Sequence, residues 1–592
     1  MNDFVAYLNS VNNIGGNSSG SLAETQVKSK YFDMVKIDRK LGEFISKSVS
    51  EKDYKSFILT GHAGDGKTSI LVQVLKKLGY LGEQEGLEEE KEYADFYYAK
   101  DMSELPEDRQ EAVLMKALSS PKNGKSSLLI SNTGPLLHAF MMLEKKRKGE
   151  IGEAFTEEDQ INLQSTLLSQ LDRNEDKIIS IAEYEFLLIN IARVDNVGFS
   201  TSVLRKILDD ALWTSCTSCQ CADRCPILNN KRILSAQFDR VAAFVENYYR
   251  FLYENDKRMT IRQIVGQISY AITGNLSCAD IKDKFLKEPF FNYNFANLFF
   301  GFYGIDEKAE ASQIKGIKQI RVLELDRIAL DVDYRLFVNN DYSCFLPNIQ
   351  NELSGLNGKY RKHYQLASED QFVSSSERKA ETKLRRAVRR FYLVFSLCET
   401  QEDLNNIFNQ IFGASYSEYC RMIGGKQPKA VLRKLQTTVF QALYVKNTGS
   451  VPDGQNELPL TLRREDDVFQ NVMLVLGEVS KSNLQIVQCP VNNRFEDYGD
   501  KQIVFLKLRD DMFRLSLPMV NYFQNLISGA IASNNNPALT HGIATLDALL
   551  LDNFGDAAPE SKDDCEMRVM INTTTGQEFE TFSFSDNRLN VW

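Results

Sequence analysis

Eight consecutive residues, Gly61-His62-Ala63-Gly64-Asp65-Gly66-Lys67-Thr68, fit the pattern G-x-x-x-x-G-K-[ST] at every fixed position. Glycines let backbone amides close around an anion. A lysine ammonium in the last turn of such a loop reaches β- and γ-phosphates, and the hydroxyl after it holds Mg²⁺. Gly61, His62, Ala63, Gly64, Asp65, Gly66, Lys67 and Thr68 are therefore expected to contact ATP, with Lys67 also catalytic and Thr68 a Mg²⁺ ligand. Hydrolysis needs a carboxylate for the metal and a group that orients water. The run Phe96-Tyr97-Tyr98-Ala99-Lys100-Asp101-Met102-Ser103-Glu104 is an apolar strand ending in an acid, with a second acid three residues on. Asp101 is expected on the Mg²⁺ side and Glu104 as the base. Asn132, at the end of the next apolar run, is placed for the γ-phosphate or the attacking water. Glu183 and Asn190 compete as an acid and polar pair. Arg193 and Arg262 are candidates for a charge-neutralising arginine.

A second constellation is Cys216-Thr-Ser-Cys219-Gln-Cys221-Ala-Asp-Arg-Cys225-Pro226, four thiols in ten residues. Thiolates so spaced can converge on one tetrahedral ion, with Zn²⁺ the usual occupant. The spacing is one residue short of the ferredoxin run C-x₂-C-x₂-C-x₃-C-P, which makes an iron–sulfur cluster the alternative. Cys216, Cys219 and Cys225 are expected ligands. The fourth is Cys221 or the distant Cys278, because a C-x-C step is tight for one small ion.

These residues need a scaffold. Ser56 to Thr60 reads as a buried strand, and the apolar spacing after Thr68 is helical, so the glycine run joins a strand to a helix N-terminus. Further strands are expected at 94–101, 127–132 and 186–191 with helical segments between them. The fold class is α/β, a P-loop NTPase core with a parallel sheet. It is followed by a helical lid, a helical middle region and a mixed α+β C-terminal domain. The expected boundaries are a flexible lead-in over 1–31, the core over 32–201, the lid with the cysteines over 202–287, the middle over 288–446, and the C-terminal domain over 459–592 after a Gly/Pro-containing linker. Residues 366–376 read as a loop, and strands are expected near 484–487, 502–508 and 581–584.

At 592 residues with a net charge of −10, the chain has room for several domains and no general basic coat for DNA. One basic stretch stands out, Ser376 to Arg390, with Arg378, Lys379, Lys383, Arg385, Arg386, Arg389 and Arg390. It reads either as a face for phosphates or an acidic partner, or as a solvated helix face. The least charged stretch, 127–143, is too broken to span a bilayer, and no signal-peptide pattern opens the chain, so a cytoplasmic location is expected.

Three features together resemble the DptF/DndF-type ATPases of restriction systems linked to DNA phosphorothioation. They are Gly61 to Thr68, the Cys216/Cys219/Cys225-Pro226 element, and Met259-Thr-Ile-Arg-Gln-Ile264 leading to Ile272-Thr-Gly-Asn-Leu-Ser-Cys278. The resemblance covers the first half of the chain. It implies an ATPase subunit of a bacterial anti-phage defence complex, with other subunits and DNA, contacted directly or through them, as partners and homo-oligomerisation as a further possibility. Two other classes of function fit the same motif. One is a signalling NTPase that assembles on sensing a ligand, and the other is an ATP-binding scaffold with negligible turnover. No clustered nuclease constellation is evident.

Overall fold

The computed structural model describes residues 2–12, 29–82, 85–173, 177–181, 183–284, 290–355, 375–462, 471–491, 495–496, 499–530, 537–556, 565–573, 576–585 and 588–591. These form a mixed α/β structure of two compact units. Unit 1 takes in Met1–Ile407 and Asn493–Asp497, and unit 2 takes in Phe408–Asn492 and Tyr498–Trp592.

Unit 1 is built on six strands: β1 (Ser56–Thr60), β2 (Glu90–Glu92), β3 (Phe96–Ala99), β4 (Ser126–Ser131), β5 (Ile178–Ile181) and β6 (Tyr184–Asn190). Their order is β2-β3-β4-β1-β6-β5. The four central strands run parallel, while β2 and β5 are antiparallel edges, so the sheet is mixed rather than the expected all-parallel one. Alternation along each central strand feeds two cores. Ile58, Leu129, Phe186 and Leu188 face helices Glu107–Ser119, Thr133–Glu150 and Glu157–Arg173. Phe57, Leu59, Leu128, Ile130, Leu187 and Ile189 face helices Lys40–Ser50 and Lys67–Lys77. Burial on both faces is why these strands read as continuous apolar runs.

Helices follow the sheet. Phe199–Ile207, Pro226–Ala236, Phe238–Glu254 and Ile261–Thr273 occupy the segment expected to be helical, and Ser375–Phe395 is the long helix of the middle region. The expectation of a flexible lead-in does not hold for its first part. Residues Asp3–Val11 form a helix capped by the Asn2 side chain, with Phe4 and Leu8 fully buried, and it packs on Ile261–Thr273. Phe4 meets Trp213 edge-on with ring centroids 5.7 Å apart, so aromatic burial fixes this segment. Residues 14–22, the glycine- and serine-rich part of that lead-in, and the expected loop up to residue 374 lie outside the described residues.

One short piece of late sequence belongs to unit 1. Phe495 joins the core beside Phe44, centroids 5.3 Å apart. Glu496 accepts from Arg39 through Nε at 2.8 Å and through Nη2, and both side chains are buried.

Unit 2 contains a five-stranded antiparallel sheet of Glu457–Leu462, Val472–Ser480, Cys565–Thr573, Gly576–Ser585 and Arg588–Val591, and a three-stranded sheet of Gln485–Pro490, Gln502–Leu508 and Asp511–Arg514. Helices Lys429–Thr448 and Leu517–Ile527 pack together. This is the expected mixed α+β character, although the unit begins at Phe408, well before 459.

Candidate functional site

Parallel register decides which loops meet. Thr60 stands opposite both Ser131 and Asn190, and Ala99 opposite Leu129. The C-terminal ends of β1, β3, β4 and β6 therefore share one sheet edge, where Gly61, Asp101, Asn132 and Asn190 follow their strands. Open parallel sheets bind ligands at this edge.

The glycine loop leaves β1 and turns into the helix Lys67–Lys77, with Gly66 as a left-handed N-cap (φ 91°). Gly64 also has φ 91°, and a Cβ there would stand 3.0 Å from Thr260 Oγ1 and from the Arg262 Cβ, so side chains larger than hydrogen are excluded twice. Lys67 is buried beneath the loop. Its ammonium donates to Gly61 O (2.7 Å), to His62 O (3.4 Å) and to Asn132 Oδ1 (3.1 Å). Burial lowers the Lys67 pKa, with Arg262 acting in the same direction, while Asp101 and Asp65 oppose it. Lys67 thus lies beside Asn132, Asp101 and Arg262.

A cavity of about 230 Å³ opens over the loop. Its lining includes His62, Ala63, Gly64, Gly66, Lys67 and Thr68 of the loop with Asp101, Glu104 and Arg262. The lining also takes in the apolar Tyr7, Val11, Phe32, Val35, Ile37, Val203, Ile261 and Val265, together with the charged Lys36, Arg39 and Lys100. The lining draws on the N-terminal helix and on segments up to residue 265, a combination with no local signal.

Asp101 accepts the Ser103 N–H (3.0 Å), and Ser103 Oγ accepts the Asn132 N–H (2.7 Å). Ser103 therefore ties the end of β3 to the end of β4, a positioning role the sequence did not reveal. Asp65 departs from expectation. It and Gly61 do not line the cavity. The Asp65 carboxylate, fully buried, accepts the His62 N–H (3.0 Å) and an Arg258 Nη1 hydrogen (2.7 Å), while Arg258 also donates to Val194 O and Ile191 O. Arg262 N–H donates to Gly64 O at 3.2 Å. Two contacts thus tie the loop to the start of helix Ile261–Thr273, whose N-terminus is closed by a Thr260–Gln263 capping box. Burial lowers the Arg262 pKa, and its side chain faces the cavity.

The competing candidates fall away. Glu183 sits in the β5–β6 turn at the opposite end of the sheet, exposed, with Lys122 3.5 Å away. Asn190 is at the correct edge but its side chain is used locally, accepting the Ala192 N–H (3.0 Å) and donating to Leu171 O (3.1 Å). Arg193 is exposed and does not line the cavity.

The basic stretch is corrected as well. On helix Ser375–Phe395, Arg390 is fully buried, bonded to Asp326 (2.6 Å), Asn297 Oδ1 (3.0 Å) and Gly304 O (2.9 Å), with its guanidinium 3.9 Å from the centre of the Phe302 ring. Arg386 also reaches Asp326, at 3.0 and 3.2 Å, and Arg389 forks onto Asp333. Arg385 pairs with Glu381 and Lys383 with Asp306. Arg386, Arg389 and Arg390 are therefore spent inside the protein on distant acids, while Lys379 and Lys383 remain exposed, so the segment is in part a core element and not one continuous basic face.

Among the described residues no group of three or more His, Cys, Asp or Glu side chains is arranged as a metal cage. No described helix is long and apolar enough to cross a membrane. Compared with protein-family models, with curated proteins and with solved structures, the chain matches none.

Proposed function

We propose that the chain binds Mg²⁺–ATP over the glycine loop and hydrolyses it. The observation that carries this reading is the meeting of Lys67, Asp101 and Asn132 at one sheet edge, beside a cavity that Lys67 and Asp101 line with the glycine loop. A triphosphate is polyanionic and its base is a flat apolar ring, and the cavity lining offers both charged and apolar side chains. Phosphates take over from Gly61 O, His62 O and Asn132 Oδ1 as partners of the Lys67 ammonium. Thr68 and Asp101 hold Mg²⁺, Glu104 orients water, and Arg262 meets charge building on the transferred phosphoryl group. The acid-bearing strand β3 is separated from β1 by β4, which leaves the Asn132 amide between loop and carboxylate, placed for the γ-phosphate or the water.

The resemblance to phosphorothioation-linked restriction ATPases extends the proposal to a defence complex. DNA contact falls to partner subunits in this reading, because Arg386, Arg389 and Arg390 of the one basic stretch are engaged internally. The test is phosphate release by the purified wild type and by Lys67→Ala, each with and without duplex DNA. Wild-type turnover reduced at least about 100-fold in a folded Lys67→Ala protein is expected, the loss typical of one transition-state contact. Equal rates in the two proteins overturn the catalytic assignment. ATP binding without turnover in the wild type makes the chain a scaffold, and ATP-driven assembly without any response to DNA makes it a signalling NTPase.

A further inference from the structure

The Asp65 carboxylate belongs to the glycine loop yet does not line the cavity. Its side chain is fully shielded from solvent, and both of its oxygens are engaged. Oδ2 accepts the His62 N–H at 3.0 Å, and Oδ1 accepts from Arg258 Nη1 at 2.7 Å. The Asp65 N–H in turn donates to His62 O at 3.2 Å. One oxygen thus closes the loop on itself, and the other is held by a residue 193 positions away.

Arg258 reaches further. Its Nε donates to Val194 O at 2.9 Å and its Nη2 to Ile191 O at 3.1 Å, two carbonyls just beyond the end of β6. The same stretch touches the loop directly, since a Cβ at Gly61 would stand 2.7 Å from Ile191 Cγ1 and 3.2 Å from the Ala192 nitrogen. Neighbouring bonds hold the chain around Arg258 against it. Arg250 pairs with Asp195 at 2.7 Å, and Asn196 Nδ2 donates to Met259 O at 3.2 Å. Four residues after Arg258, the Arg262 N–H meets Gly64 O. One guanidinium therefore fastens the loop, the end of β6 and the approach to helix Ile261–Thr273 to one another.

We propose that Asp65 and Arg258 are positioning residues for the nucleotide, holding the glycine loop in its phosphate-ready shape from outside the cavity. The proposal rests on the nucleotide reading of the loop. Backbone amides cradle phosphates best when they converge before the ligand arrives, because ordering them on binding costs affinity. Gly64 and Gly66, both at φ 91°, flank Asp65 and leave the loop a wide conformational choice. A buried carboxylate held at both oxygens narrows that choice, and the three-way fork of Arg258 anchors it to the sheet. Lysine could not replace this fork, since an ammonium lacks the planar spread of donors. A preset loop serves the bound substrate and the transition state alike, so its loss falls on affinity and KM rather than on kcat. Arg262, which faces the cavity, has the opposite signature.

The test compares full-length wild type, Asp65→Asn, Arg258→Ala and the double variant by titration with a fluorescent ATP analogue, steady-state ATP turnover and amide hydrogen exchange. Each single variant is expected to weaken nucleotide binding and raise KM at least about tenfold, the scale of one charge-assisted hydrogen bond, with a smaller change in kcat. Arg258→Ala should bind more weakly than the double variant, because removing the guanidinium alone leaves a buried carboxylate without it. In unliganded Arg258→Ala, exchange at residues 61–66 should quicken. Arg390→Ala is the stability control. It breaks a buried network elsewhere in unit 1 and should keep wild-type affinity and wild-type exchange at 61–66. Should Arg258→Ala not fold, Arg258→Lys keeps the charge without the fork and should show the same rise in KM. Single variants within about twofold of wild-type affinity, the scatter of uncoupled sites, overturn the proposal. So does an equal affinity loss in Arg390→Ala, a kcat loss larger than the rise in KM, or unchanged exchange at 61–66. Wild type that binds no nucleotide overturns the underlying reading along with this one, and the wild-type titration alone tells that failure from the others.

Discussion

Replacing Arg390 by alanine asks whether the basic helix is a core element or a recognition surface. The guanidinium is fully buried, and burial lowers its pKa to about 10 even with Asp326 beside it. Truncation removes the 2.6 Å contact to Asp326, orphans Gly304 O and Asn297 Oδ1, and ends the stacking on Phe302. Breaking a buried ion pair costs about 3–5 kcal/mol, chiefly because the surviving charge is left alone. Here Arg386 remains on Asp326, which moderates that term. Two buried acceptors without donors cost about 1–3 kcal/mol each, and the lost cation–π contact about 2 kcal/mol. These terms overlap, and a net destabilisation of about 4 kcal/mol is expected. Arg385→Ala is the control: its pair with Glu381 is partly exposed on both sides, so a loss under about 1 kcal/mol is expected. Urea unfolding followed by a probe in unit 1 separates the two. Equal midpoints for the two variants, or Arg390→Ala within about 1 kcal/mol of wild type, would refute the internal network.

Other outcomes follow from the site. Asp101→Asn should keep nucleotide affinity in the absence of Mg²⁺ and lose turnover by about 100-fold or more, measured by fluorescent-nucleotide titration and phosphate release, whereas Glu183→Gln should change neither. Arg262→Ala should lower turnover more than affinity, and equal losses in the two would reduce it to a binding group. Glu352, half-buried with Oε2 lacking a hydrogen-bond partner, has its pKa raised by burial to about 7 from 4.5. The folded chain then holds a proton that the unfolded chain has released, so stability falls as pH rises from 4.5 through about 7. Glu352→Gln should remove a decline of about 3 kcal/mol across that window, read as a gain in Tm at pH 8 and little change at pH 4.5.

The glycine loop and its partners were legible because their signals are local. A fixed eight-residue pattern named Lys67 and Thr68, and apolar runs ending in Asp101 and Asn132 marked two strand ends. What sequence could not supply was direction and distance. Glu183 and Asn190 bracket the same strand, and only the sense in which β6 runs beside β1 puts Glu183 at the far end. Asp65 sits within the motif, yet its carboxylate is committed to Arg258, a partner 193 positions away. The arginines of Ser375–Phe395 looked unopposed because Asp326 and Asp333 lie 56 to 64 positions earlier. The N-terminal helix was missed for a different reason. Nine residues are too few to declare themselves by periodicity, and the burial of Phe4 and Leu8 is imposed by helix Ile261–Thr273.

The buried pairing of Arg39 with Glu496 sets a timetable for synthesis. Arg39 lines the cavity, and apart from residues 493–497 the chain of unit 1 ends at Ile407. Its carboxylate partner is translated about 90 residues later. At roughly 5–20 residues per second, the ribosome takes about 5–18 s to make that stretch. During this interval a nascent chain holds a nearly complete sheet with an uncompensated guanidinium at the cavity and an unfilled place beside Phe44. A release of the chain after residue 407 would make that interval permanent. Fragments ending there should stay bound to chaperones and refold only when a peptide carrying Phe495 and Glu496 is supplied.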